Sequence, residues 1–136
     1  MRAVLDPNVL VSALLSRGGA PAQIASRWLA GEYELVVSEL LLAELDRALA
    51  YPKIQKRVGP ADAAEFVGIL RQTAVLAPDP ENVSPRSPDP GDDYLLALAE
   101  AERAVLVSGD QDLLGLADRY PIFAPREFLR TLETHS

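Results

Sequence analysis

Apolar residues along this chain come in short blocks separated by polar breaks, and the blocks alternate between two periodicities. Arg2-Ala3-Val4-Leu5, Glu34-Leu35-Val36-Val37 and Ala104-Val105-Leu106-Val107 are near-continuous apolar runs bounded by polar or turn residues, and they read as buried strands. Thr73 to Ala77 and Ile122-Phe123 are shorter strand candidates. Between them lie helical patterns. Asn8 to Ser16 is rich in Val, Leu and Ala. A second helix starts at Pro21 and runs to about Ala30, with Gly31 as its C-terminal stop. Ser38 caps a third, Glu39 suits its positive end, and Leu41, Leu42, Leu45 and Leu49 recur at helical spacing. Tyr51-Pro52 breaks that pattern, and Pro60 opens a helix through about Gln72. Asp92 to Arg103, Gln111 to Arg119 and a segment from Pro125 complete the set. Pro78 to Gly91 holds five prolines and reads as a long loop. Too little chain remains around it for a second core, so residues 1–136 are expected to form one domain.

Strands and helices alternate throughout, which argues for an α/β fold: a short, mainly parallel sheet of four or five strands with helices on both faces, in three layers. In such a sheet the carboxyl ends of the strands share one rim, where ligands bind.

Composition narrows the chemistry available at that rim. A hydrophobic fraction of 49% and a charged fraction of 24% over 136 residues are ordinary for a globular protein. There is no cysteine, which excludes disulfides and thiolate metal sites. The single histidine, His135, stands next to the last residue, so acid–base or metal chemistry falls to carboxylates. An acid at position 6 comes too early for a signal-peptide core, and no apolar run approaches the roughly 20 residues that span a bilayer. A cytoplasmic protein without membrane contact is the expectation.

Four acids are placed to converge. Asp6 ends the first strand, Asp110 follows the Ala104–Val107 strand, Glu44 lies on the helix after Ser38, and Asp93 lies in the first turn of the helix expected from Asp92 to Arg103. Asp6 and Asp110 would reach the rim, and Glu44 and Asp93 could join them from adjacent helix turns. Each has an ordinary alternative as a helix cap, a helix-start acid or a surface glutamate. Together they pose a charge problem. Two carboxylates 5 Å apart repel by roughly 3 kcal/mol at an effective dielectric near 20. Protonation or a divalent cation relieves this, and oxygen ligands suit Mg²⁺ or Mn²⁺. A pair of such ions can activate water and stabilise the leaving oxygen of a phosphodiester. Asn8 can orient a neighbouring carboxylate, Ser108 can hold Asp6 or a water, and Asp112 suits a helix start.

The net charge of −7 opposes a nucleic-acid partner, but the four acids contribute −4 of it and leave −3. Backbone contacts to nucleic acid would have to come from a local patch. Its candidates are Arg17, Arg47, Lys53, Lys56 and Arg57, which read equally well as a solvated helix face.

The order Asp6-Pro7-Asn8, then Ser38 to Glu44-Leu45, then Asp93-Tyr94-Leu95-Leu96-Ala97, then Ser108-Gly109-Asp110 resembles the PIN domain family over nearly the whole chain. Val9-Leu10-Val11-Ser12-Ala13-Leu14-Leu15 and Gly109-Asp110-Gln111-Asp112-Leu113-Leu114 resemble the branch of toxin components in toxin–antitoxin systems, the VapC type. The resemblance implies a PIN-like α/β/α fold and a metal-dependent nuclease acting on single-stranded RNA. It implies Asp6, Glu44, Asp93 and Asp110 as the Mg²⁺ or Mn²⁺ site, supported by Asn8, Ser108 and Asp112. It further implies a homodimer and an antitoxin that fills the acidic pocket with a basic side chain. Two positions depart from the pattern: Pro7 stands where Thr is usual, and Ser108 where Thr is frequent.

The residues admit two other readings. A PIN-like dimer with a weak active site would use its acidic pocket as a regulatory module that binds protein or RNA. A phosphatase or phospho-accepting receiver fits poorly. Asn8 stands where a phosphatase of the haloacid-dehalogenase type needs a second Asp, and no lysine follows Lys56 for a receiver.

Overall fold

The computed structural model describes residues 1–134; His135 lies outside them. Five strands form one parallel sheet: β1 (Arg2–Leu5), β2 (Glu34–Val37), β3 (Val75–Leu76), β4 (Val105–Val107) and β5 (Ile122–Phe123), in the order β3-β2-β1-β4-β5. All of Ala3, Val4, Leu5, Leu35, Val36 and Val37 are buried. Successive strand residues point to opposite faces, so burial of every one means that both faces are covered, as the continuous apolar runs predicted.

Eight helices among the described residues supply that cover: α1 (Pro7–Leu15), α2 (Ala20–Leu29), α3 (Glu39–Leu49), α4 (Pro52–Gln55), α5 (Pro60–Thr73), α6 (Asp93–Ala101), α7 (Gln111–Leu114) and α8 (Pro125–Thr134). None is long and apolar enough to cross a membrane. α1 packs on α2 and α3, α2 on α8, and α6 on β1 and β4. The α2–α8 seam carries Tyr33 edge-on to Phe128 at 5.1 Å, and the Tyr33 hydroxyl donates to the Ile24 carbonyl. Leu10, Ile24, Leu41, Leu45, Leu95 and Leu98 are fully buried. Each such side chain contributes about 1.5–3 kcal/mol by leaving water.

The break expected at Tyr51-Pro52 is present, and Pro52 opens a further short helix, α4, where a missing N–H costs nothing. Two boundaries differ from the sequence expectation. The helix expected over 111–119 ends at Leu114. Beyond Gly115 the backbone tightens into three-residue turns, with Leu116 N–H donating to the Leu113 carbonyl at 2.9 Å and Arg119 N–H to Leu116 at 2.9 Å. The helix expected over 92–103 is α6, preceded by a 3₁₀ turn at Pro90–Asp92 and closed by Arg103 at φ +52°. Ala104 N–H reaches back to the Ala99 carbonyl at 2.8 Å and Arg103 N–H to Glu100 at 3.2 Å. Gly31, at φ +82°, ends α2 with the same pair of bonds, from Glu32 to Arg27 and from Gly31 to Trp28.

The strand order fixes where a ligand can sit. From β1 the chain builds outward through β2 and β3, then returns to the other side of β1 with β4 and β5. β1 and β4 therefore flank the point where the winding reverses, and the crevice beyond their carboxyl ends is the favoured binding place in such sheets.

Candidate active site

Leu5 pairs with Val107 at the ends of β1 and β4, and the Asp6 N–H donates to the Val107 carbonyl at 2.9 Å. Asp6 is thereby held at the switch point, where it also caps α1. Its carboxylate is buried and doubly held: Oδ1 accepts from the Asn8 N–H at 2.9 Å, and Oδ2 from the Ser108 hydroxyl at 2.8 Å. Burial raises its pKa. The bonds from Asn8 and Ser108 oppose that rise, and the charge of Asp110 adds to it. Ser108 is itself buried, and its oxygen accepts the Asp110 N–H at 3.0 Å. One hydroxyl therefore ties the ends of the two central strands together.

The supporting residues differ in how they act. Asn8 orients Asp6 through its backbone N–H, and its side chain is left on the cleft wall. Asp112 likewise contributes its N–H, which donates to Asp110 Oδ1 at 2.8 Å and fixes Asp110 as the cap of α7.

A cleft of about 250 Å³ opens beside Asp6 and is walled by Asn8, Glu44, Arg47, Tyr51, Asp92 and Tyr94. A second groove of about 340 Å³ shares Asn8 and runs past Ser12 to Asp110 and Pro125. Glu44 is half-buried on α3, and its Oε1 accepts from Arg47 Nη1 at 2.8 Å. The ring of Tyr94 is buried, and burial holds its hydroxyl pKa well above the usual phenol range. Nearby Glu44, Asp6 and Asp92 push the same way, so Tyr94 is a protonated donor at neutral pH.

Of the expected acids, Asp6 and Glu44 line this cleft and Asp110 the neighbouring groove, while Asp93 lines neither. Its Oδ1 accepts two backbone bonds, from Arg86 N–H at 3.1 Å and Ser87 N–H at 2.8 Å. The Arg86 guanidinium pairs with Glu100 and lies 5.6 Å over the Tyr120 ring. Asp93 therefore anchors the proline-rich loop to α6. The acid in the cleft is its neighbour Asp92, which the sequence analysis did not single out. Asp92 ends the 3₁₀ turn, and its Oδ2 is buried without a hydrogen-bond partner. Burial pushes its pKa up to about 7, and Asp110, then Asp89, then Asp6 add to the rise by repulsion. Almost every residue from Asp93 to Ala99 is buried, so α6 has no polar face from which periodicity could choose between the two acids.

The basic candidates separate into two places. Arg47 lines the acidic cleft. Arg17 and Arg57 border a different groove beside Leu14 and Leu15, where Arg57 donates to the Leu15 carbonyl at 3.1 Å. Lys53 and Lys56 are exposed on α4 and just beyond it.

Among the described residues no three acidic side chains converge closely enough to cage an ion. The cleft nonetheless offers all-oxygen ligands, a carboxylate oriented on both oxygens at Asp6, and an orphaned buried oxygen at Asp92. Those features suit Mg²⁺ or Mn²⁺, which need only a few protein oxygens alongside water. Nothing in the set suits a soft metal.

Comparison with known proteins gives the same architecture. An uncharacterised protein of Methanocaldococcus jannaschii, MJ1680, is 22% identical over 143 residues, covering 98% of this chain and 92% of that protein. The crystal structure of PAE2754 from Pyrobaculum aerophilum superposes with a TM-score of 0.67 at 19% identity, covering 98% of this chain and 90% of that one. The crystal structure of VapBC2 from Rickettsia felis, bound to a DNA fragment from their promoter, gives 0.61 at 17% identity, covering 90% and 97%. The family model of the PIN domain matches residues 2–112, a span that holds every carboxylate of the cleft, and the chain belongs to that family.

Proposed function

We propose that this PIN domain is a Mg²⁺- or Mn²⁺-dependent nuclease that hydrolyses phosphodiester bonds in single-stranded RNA, as the toxin of a toxin–antitoxin pair. The observation that carries this reading is the half-buried Asp92 carboxyl, whose one buried oxygen is left without a partner beside Asp6 and Asp110 at the switch point. A fold keeps such a group at a cost, and a cation is the partner that removes the cost.

Asp6, Glu44, Asp92 and Asp110 would hold the ion, directly or through water, with Asp92 taking the place expected for Asp93. When bound, a divalent ion supplies an activated water and offsets the charge of the phosphodiester. The chain's own residues prepare the cleft. Ser108 and the Asn8 N–H fix the direction of the Asp6 lone pairs, and the Asp112 N–H fixes Asp110. Tyr94 keeps its proton and can donate it in a hydrogen bond to a phosphate oxygen. Pro7 occupies the first position of α1, where an N–H would have no helical acceptor, so its departure from the family pattern leaves the carboxylates in place. The homodimer and the antitoxin belong to this proposal. A basic side chain entering the cleft would neutralise the same carboxylates as the ion.

A second reading, in which the acidic cleft serves mainly to bind a basic partner, is favoured by one contact: Arg47 already neutralises Glu44 within the chain. One assay separates the two. Labelled single-stranded RNA is incubated with the protein in Mn²⁺, Mg²⁺ or EDTA, beside Asp6→Asn and Asp92→Asn. Cutting that needs the metal and is lost in both variants is expected. Folded protein that never cuts would leave the partner-binding reading.

A further inference from the structure

The two walls of the cleft differ in character. Asp6 and Asp92 line it as acids, and on the side of α3 and the start of α4 stand Arg47, with Glu44 as its ion-pair partner, and Tyr51. Tyr51 is 60% exposed. Among the described residues its hydroxyl makes no hydrogen bond and its ring no aromatic or cation contact. A single exposed aromatic is unremarkable by itself. This one is set at the mouth of the cleft on fixed backbone. Its carbonyl accepts from Ile54 N–H at 2.9 Å and Gln55 N–H at 3.0 Å, and Pro52 follows it. The backbone is thus fixed, and the exposed ring is open for a flat partner to cover.

Arg47 is 64% exposed and pairs with Glu44 three residues back. A pair this exposed contributes at most about 1 kcal/mol, so the guanidinium can exchange its carboxylate for another oxyanion at little cost. A planar fork beside an aromatic face, opposite a carboxylate wall, matches a nucleotide whose base is free to stack and whose phosphate lies next to it. A duplex keeps its bases stacked and offers no free face. Lys53 and Lys56, exposed on and beyond α4, continue positive charge away from the acidic wall.

We infer that Tyr51 and Arg47 form the nucleotide-holding wall of the cleft, Tyr51 stacking on an unpaired base and Arg47 holding the adjoining phosphate, so that the strand is selected for being single. Both are positioning residues. The inference rests on the reading of the cleft as a nucleic-acid site, and binding is therefore measured apart from cutting.

The test is fluorescence anisotropy in EDTA at low salt, with a labelled ten-residue oligoadenylate and the same backbone without bases. Wild type, Tyr51→Ala, Tyr51→Phe and Arg47→Ala are compared. Tyr51→Ala is expected to weaken oligoadenylate by about 5- to 100-fold and leave the abasic strand unchanged. Tyr51→Phe keeps the ring and is expected to bind as wild type. Arg47→Ala is expected to weaken both strands and to reduce the slope of log affinity against log salt by about 0.7. The inference is overturned if Tyr51→Ala weakens both strands equally or neither, or if wild type binds neither. The same samples are then given Mn²⁺. Wild type that binds in this pattern and never cuts would sink the nuclease reading and leave the wall. Wild type that cuts while Tyr51→Ala binds normally would do the reverse.

Discussion

Replacing Asp92 with Asn is expected to stabilise the metal-free protein at neutral pH while abolishing its activity. The carboxyl of Asp92 is pushed from the ordinary 3.8 to about 7, first by burial and then by Asp110, Asp89 and Asp6. Between those two values the folded state holds a proton that the unfolded chain has released, so stability falls as pH rises and the whole cost is present above about pH 7. Asp92 is partly exposed, and solvent screening reduces that cost to about 1–2 kcal/mol. Asn has nearly the same shape and cannot ionise. Asp92→Asn should match the wild type where Asp92 is protonated in both states and exceed it by the full amount at about pH 8. For a domain of this size that is a rise in Tm of about 3–8 °C.

The assay is thermal unfolding followed by circular dichroism in EDTA, from about pH 5, which lies above the isoelectric point of 4.6, to about pH 8. Most of the difference should build up over that interval. Saturating Mn²⁺ should then invert the order. An ion at 100 times its Kd stabilises the wild type by about 2.7 kcal/mol, and the variant has lost a ligand. A variant no more stable than wild type at pH 8, or more stable by the same margin at pH 5, would refute the claim that Asp92 is an uncompensated charge.

Three further predictions follow from neighbouring contacts. Asp93→Ala removes the acceptor of the Arg86 and Ser87 N–H groups and should cost about 1–3 kcal/mol in urea unfolding, with or without metal, which separates its role from that of Asp92. Ser108→Ala removes the hydroxyl between Asp6 and Asp110. It should raise the Asp6 pKa further and weaken Mn²⁺ binding by about 10- to 100-fold in calorimetry, with cutting restored at higher metal. Arg103→Gly relieves a left-handed side-chain residue at the end of α6 and should raise stability by about 0.5–1 kcal/mol by thermal melting, without change in cutting.

The two left-handed helix ends show what the sequence made legible. Gly31 announced the end of α2 because glycine alone takes φ near +80° without strain, and the helix ends there. Arg103 makes the same turn with the same two bonds, yet arginine is a good helix former, and the expected helix took it as its last residue, two beyond the observed end at Ala101. What bends the chain at Arg103 is the need to feed Ala104 and Val105 into β4, a tertiary demand that no local pattern carries. The sheet was readable for the opposite reason. Strands buried on both faces must be apolar at every position, and runs such as Val4-Leu5 and Leu35-Val36-Val37 have few other uses.

The site divides along the same line. Asp6, Glu44 and Asp110 are legible as candidates because each follows from one element boundary or from one charge in an apolar helix. Asp92 and Asp93 adjoin at a boundary where a 3₁₀ turn meets an α-helix, and a change in winding there swings which of two neighbouring acids faces the rim. The structure gives each acid a distinct task. Asp93 has two N–H donors and no exposure, and Asp92 has an orphaned oxygen and three acidic neighbours. Drawing Asp93 into the cleft would break the two bonds that hold the proline-rich loop, whereas the N–H groups on Asp6 and Asp110 fix those carboxylates at the rim itself. A carboxylate left unsatisfied gains most from a cation. The unpaired oxygen is therefore the stronger guide to chemistry in this cleft than the position of an acid in a motif.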